Sequence, residues 1–131
     1  MSEQSLISIV DDDQSFRDSM RRLLRSLGYV VAVFPSAAEF LASPKLAATA
    51  CLVADVHMPA ITGVELYRHL IETGHTIPTI LVTAYPDDSV QERRMLMEGV
   101  ECYLRKPVEE ADLIGCLRSA CTRRMGPREP S

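Results

Sequence analysis

Apolar and polar positions along the chain change period in a regular way. Residues 6–10, "LISIV", form a short continuous apolar run suited to a buried strand. Beyond them Phe16, Met20, Leu23, Leu24 and Leu27 recur at helical spacing, and Gly28 stands where a helix C-cap glycine belongs. "YVVAVF" at 29–34 predicts a second strand; Ala37, Phe40 and Leu41 mark a short helix that begins after Pro35–Ser36 and stops at Pro44. "ACLVADV" at 50–56 predicts a third strand, and a helix from Gly63 through Leu66, Tyr67, Leu70 and Ile71 closes near Gly74. "IPTILVTAY" at 77–85 reads as a fourth strand, followed by a helix from about Asp87 to Glu98 and a stop at Gly99. "VECYL" at 100–104 is the fifth strand, and Leu113, Cys116, Leu117, Ala120 and Cys121 stripe the last helix.

Strands alternating with helices predict βαβ units and a parallel sheet covered on both faces. The nearly continuous apolar strands agree, because a strand in such a sheet is buried twice. One domain over 1–123 accounts for the pattern; 124–131 lacks periodicity and reads as a flexible tail or the start of a linker.

Composition narrows the function. At 131 residues and 47% hydrophobic the chain suits a single globular domain. A net charge of −4, with its Arg pairs scattered, argues against direct nucleic-acid binding. No run of apolar residues is long enough to span a bilayer, and "MSEQSL" has no signal-peptide character, so the expected location is cytoplasmic, away from the membrane. Cysteines 51, 102, 116 and 121 lack zinc-ligand spacing and are expected to be reduced core thiols.

In an open α/β sheet, ligands bind beyond the carboxyl ends of the strands, at the topological switch point. The first strand ends on Asp11, Asp12 and Asp13, and the third on Asp55 followed by Val56 and His57. The fourth ends on Thr83, Ala84 and Tyr85, and the fifth carries Tyr103 and leads to Lys106–Pro107. Converging carboxylates raise one another's pKa values unless a cation offsets them, and Mg²⁺ favours carboxylates together with a phosphate. A lysine and a hydroxyl across the same crevice complete a set suited to phosphoryl transfer onto an aspartate. Asp13, placed before the first helix, reads as an N-cap rather than a metal ligand.

"VDDD", "ADVHMPAITG", "VTA" and "YLRKP", in that order, resemble the receiver domain of two-component response regulators over residues 4–123. "MPAITGVEL" and "AEFLAS" are most similar to receivers of FixJ-type transcriptional regulators. The resemblance implies a flavodoxin-like (βα)5 doubly wound sheet of strand order 2-1-3-4-5. It implies that Asp55 accepts a phosphoryl group from a sensor histidine kinase. Asp11, Asp12, Asp55 and the backbone carbonyl of His57 would hold Mg²⁺, and Lys106 would contact the phosphoryl oxygens. Thr83 and Tyr103 would act as switch residues, with His57, Ala84 and Tyr85 modulating phosphate lifetime. A cis Lys106–Pro107 peptide and a homodimer face built from helix four, strand five and helix five are further implications. The fourth helix departs from the pattern, with Pro86 near its start and Arg93–Arg94 within it. Two alternatives stand beside this reading. One is a pseudo-receiver that acts as an interaction module without phosphate. The other is a haloacid-dehalogenase-like phosphatase, disfavoured because His57 stands where that chemistry wants a second acid.

Overall fold

The computed structural model describes residues 5–85 and 89–125, with side chains as far as Thr122. Five strands, β1 (Leu6–Val10), β2 (Val30–Phe34), β3 (Cys51–Asp55), β4 (Thr79–Thr83) and β5 (Cys102–Arg105), alternate with five helices. These are α1 (Gln14–Ser26), α2 (Ala37–Ala42), α3 (Gly63–Glu72), α4 (Ser89–Glu98) and α5 (Glu110–Met125). The strands pair in parallel in the order β2-β1-β3-β4-β5, the flavodoxin-like arrangement. From β1 the chain steps outward to β2, then returns past β1 to β3. The switch point therefore lies between the carboxyl ends of β1 and β3.

Side chains alternate across each strand and so divide the interior in two. Val10, Leu52, Ala54 and Leu81 meet Phe40, Leu66, Tyr67, Leu70 and Met95 from α2, α3 and α4. On the other face Ile7, Ile9, Val53, Ile80 and Val82 meet Met20, Leu24, Leu113, Leu117 and Ala120 from α1 and α5. Every residue of β3 and β4 is buried, as expected of central strands packed on both sides.

Helix ends follow local chemistry. Asp13 caps α1, its carboxylate accepting from the amides of Ser15 and Phe16. At the other end the Gly28 and Tyr29 amides bond back to the carbonyls of Arg25 and Leu24, with Gly28 at φ +95°. Thr62 and Glu65 close a reciprocal capping box on α3.

Four sequence expectations need correction. The fourth strand is shorter than 77–85: Pro78 brings no N–H to the ladder, and the chain leaves the sheet after Thr83. A 3-10 turn over Pro44–Ala48 follows α2, where only a helix stop was expected; its Thr49 cap bonds the buried Ser8 hydroxyl at 2.7 Å. Cys102 and Cys116 are not free thiols but form a disulfide between β5 and α5, their Cα atoms 6.2 Å apart. Cys51 and Cys121 remain unpaired, and burial pushes the Cys51 thiol pKa far up. The tail expected over 124–131 begins later, because α5 continues through Arg124 and Met125; residues 126–131, and the fourth-helix start expected at about Asp87, lie outside the described residues.

Candidate functional site

β1 and β3 run in parallel register, with Val10 opposite Ala54, so Asp11 and Asp55 emerge side by side at the switch point. Asp11 is fully buried and Asp55 nearly so, whereas Asp12 is exposed at the rim. Carboxylate oxygens of these three residues all lie within 4.8 Å of one another.

The Lys106 ammonium meets this cluster. Nζ donates to Asp11 Oδ2 at 2.9 Å and lies 3.9 Å from Asp55 Oδ2. It also sits over the Phe16 ring, 4.3 Å from the centroid. The other Asp11 oxygen accepts from the Asp13 amide at 2.9 Å, and Arg17 donates to the Asp11 carbonyl at 2.8 Å. Asp55 Oδ1 accepts a long bond, 3.4 Å, from the His57 amide. Burial first, and Asp11 second, raise the Asp55 pKa from its usual 3.8 to about 6; Lys106 and the His57 amide offset only part of this.

The loop after Asp55 is held by close backbone contact. Gly63 opens α3 against the end of β3, its amide donating to the Val56 carbonyl at 3.1 Å. A Cβ at Gly63 would collide with the Asp55 carbonyl oxygen and stand 3.2 Å from the Val56 Cα. Glycine is required there by close approach rather than by φ. Within the same loop Ala60 takes φ +68°, and the Ile61 amide bonds to the Pro59 carbonyl at 2.8 Å around it.

Thr83 ends β4 fully buried; its hydroxyl accepts from the Tyr85 amide at 3.0 Å, and its carbonyl accepts from the Lys106 amide at 2.8 Å. Tyr103 points into the core beneath α4, and its hydroxyl accepts from Gln91 at 3.2 Å. His57, Ala84 and Tyr85 are exposed around the mouth, and the His57 and Tyr85 rings touch with centroids 4.0 Å apart. The Lys106–Pro107 peptide is cis, as expected.

The strand ends thus bring Asp11, Asp12, Asp55 and Lys106 together, with Thr83 on the neighbouring strand end. Tyr103 lies one layer deeper, and Asp13 serves the helix. Phe16, Arg17 and Gln91 were not legible as site neighbours. Phe16 and Arg17 fall within an ordinary amphipathic helix pattern, and no local signal ties Phe16 to a lysine so distant in sequence.

Residues 7–118 match the response regulator receiver domain family. The response regulator protein TmoT of Ectopseudomonas mendocina is 35% identical over 118 residues, 90% of this chain and 53% of that protein. The transcriptional regulatory protein FixJ of Azorhizobium caulinodans is 33% identical over 123 residues, 94% of this chain and 58% of that protein. The chain therefore spans a little over half the length of these curated relatives. Among solved structures, FixJ-N superimposes with a TM-score of 0.81 at 30% identity, covering 92% of this chain and 96% of that one. The response regulator StyR superimposes with a TM-score of 0.83 at 32% identity, covering 94% of this chain and 62% of that one. With the family matched across most of its length and the acidic switch-point cluster in place, the chain belongs to the receiver domains of two-component response regulators.

Proposed function

We propose that the chain takes a phosphoryl group from a phosphohistidine of a sensor histidine kinase onto Asp55, in a Mg²⁺-dependent reaction that controls an output domain or partner. One observation carries this reading: the Asp11, Asp12 and Asp55 carboxylates converge, two of them buried, around a single lysine. That set holds more negative than positive charge, and burial first, with Asp11 second, keeps the Asp55 pKa raised. A hard divalent cation suits such an oxygen donor set. Asp11, Asp12, Asp55 and the His57 carbonyl would hold Mg²⁺. When bound, the ion supplies positive charge that offsets the carboxylates and the incoming phosphoryl oxygens.

In the transfer, an Asp55 oxygen attacks phosphorus as the P–N bond to the donor imidazole breaks. The bonding pair stays on that nitrogen, which takes up a proton. Lys106 balances charge on the phosphoryl oxygens, and the Thr83 hydroxyl turns to bond them. Tyr103 follows through its place beneath α4, where Gln91 holds its hydroxyl. His57, Ala84 and Tyr85 border the mouth and set water access, hence the lifetime of the acyl phosphate. The face formed by α4, β5 and α5 is the expected dimer or signalling surface, and the cytoplasm the expected location. No helix among the described residues is long and apolar enough to cross a membrane. The regulatory names of the relatives support an output in transcription control.

Acetyl phosphate with Mg²⁺ should add one phosphoryl mass to the wild-type chain and none to Asp55→Asn, and chelating the metal should prevent the addition. A wild-type chain left unmodified would overturn the reading in favour of an interaction module that works without phosphate.

A further inference from the structure

Lys106 is held from three sides by partners of two kinds. Asp11 and Asp55 are carboxylates, at 2.9 and 3.9 Å from Nζ; the third partner is the Phe16 ring, 4.3 Å from Nζ to its centroid. The lysine side chain is only 19% exposed, so this contact is largely shielded from water. A cation over an aromatic face is attracted by the ring quadrupole, more strongly when desolvated.

The ring is placed by the same segment that supplies the acidic cluster. Asp13 accepts from the Phe16 amide at 3.5 Å and from the Ser15 amide at 2.9 Å, which starts α1 at the strand end. One residue further, Arg17 reaches back to the Asp11 carbonyl at 2.8 Å. The first turn of α1 is thus tied at two points to the backbone and cap of the triplet. That turn carries Phe16 to the ammonium.

The two carboxylates and the ring differ in how they respond to chemistry at the site. Carboxylate charge is offset when a cation binds, and the Asp55 carboxylate gives up its own charge to a mixed-anhydride linkage when the phosphoryl group is attached. The ring neither titrates, nor ligates a hard cation, nor takes up phosphate. It attracts the ammonium equally in every state. We propose that Phe16 is the positioning residue that keeps Lys106 aimed at the Asp55 oxygens when Asp11 is engaged elsewhere. This rests on the role given above to Lys106 in phosphoryl transfer.

Phe16→Leu keeps apolar bulk and removes the π face, and Phe16→Tyr keeps the face. In the metal-free protein, carbon–proton NMR of the Lys106 ε-methylene should show an upfield ring-current shift in wild type and Phe16→Tyr. Phe16→Leu should lose it. With saturating Mg²⁺, labelling of Asp55 by acetyl phosphate should slow about three- to tenfold in Phe16→Leu. Phe16→Tyr should return the rate to wild type, with Mg²⁺ affinity alike in all three. Wild-type labelling matched by Phe16→Leu, or equal slowing in Phe16→Leu and Phe16→Tyr, would overturn the role of the aromatic face. A Lys106 methylene without an upfield shift in wild type would overturn the contact itself. Failure of the wild-type chain to label at all would instead remove the phosphoacceptor reading, and the proposal with it.

Discussion

Helices α3 and α4 have the same length, ten residues, and pack on the same face of the sheet, yet they are held very differently. α3 buries Gly63, Val64, Leu66, Tyr67 and Leu70, starts with a capping box and rests its first residue against the backbone of Asp55. α4 buries Met95 alone and leaves Val90 72% and Met97 81% exposed. Among the described residues its other side-chain ties are mostly polar, among them Arg68 to Glu98 at 2.7 Å, Arg105 to Glu92 at 3.0 Å, Tyr67 to the Glu98 carbonyl at 3.1 Å and Gln91 to the Tyr103 hydroxyl at 3.2 Å. Exposed ion pairs of this kind contribute little, about 0–1 kcal/mol each. Asp55, the proposed acceptor, therefore sits on the more firmly packed side of the molecule. Thr83 and Tyr103 adjoin an element with few apolar anchors, the kind that opens at low free energy. The proposed phosphoryl switch would need both: a fixed acceptor and a neighbour that can be moved.

Substitutions can break or sharpen this contrast. The largest effect is expected at Gly63→Ala, where the new methyl meets backbone that cannot retreat. Urea unfolding should show a loss of about 3 kcal/mol, the upper range for overpacking.

The next effect is electrostatic. Because the folded Asp55 pKa is raised from 3.8 to about 6, the native carboxyl binds its proton more tightly than the unfolded one. The metal-free fold keeps that contribution in full below the unfolded value and loses it as pH rises through about 6. A shift of roughly two units corresponds to on the order of 2–3 kcal/mol. Asp55→Asn should remove this part of the pH dependence and be more stable than wild type at neutral pH, and Mg²⁺ should stabilise the wild type most above the folded pKa.

A smaller effect, about 1 kcal/mol, is expected for Thr62→Ala, which deletes one half of the α3 capping box. The smallest belongs to α4: Val90→Ser and Met97→Ser should each change stability by less than about 0.5 kcal/mol. A larger loss at either position would show that α4 is anchored as firmly as α3.

Most of the frame was legible because the periods of strand and helix are local properties. Ile7, Ile9 and Val10 are apolar and β-branched, and Met20 and Leu24 fall at helical spacing; each packs where its pattern placed it. The site was legible for a related reason. Once the strands are known, their ends are known, and Asp11, Asp55, Thr83 and Lys106 follow. What stayed hidden depends on distances between segments. Cys102 and Cys116 meet through the crossover from β5 into α5, so no spacing rule exposes their pairing. Phe16 and Lys106 touch across the sheet, and each already had a sufficient role in its own segment. The turn at Pro44–Ala48 is too short to show a period.

The unequal hold on α3 and α4 is tested most directly by amide hydrogen exchange with and without beryllofluoride and Mg²⁺, the pair that mimics a phosphoryl group on Asp55. Protection in α4, from Val90 to Glu98, should change while that of Leu66 to Leu70 in α3 stays as it was. Equal changes in both helices, or none in either, would contradict the division into a fixed acceptor side and a movable responding side.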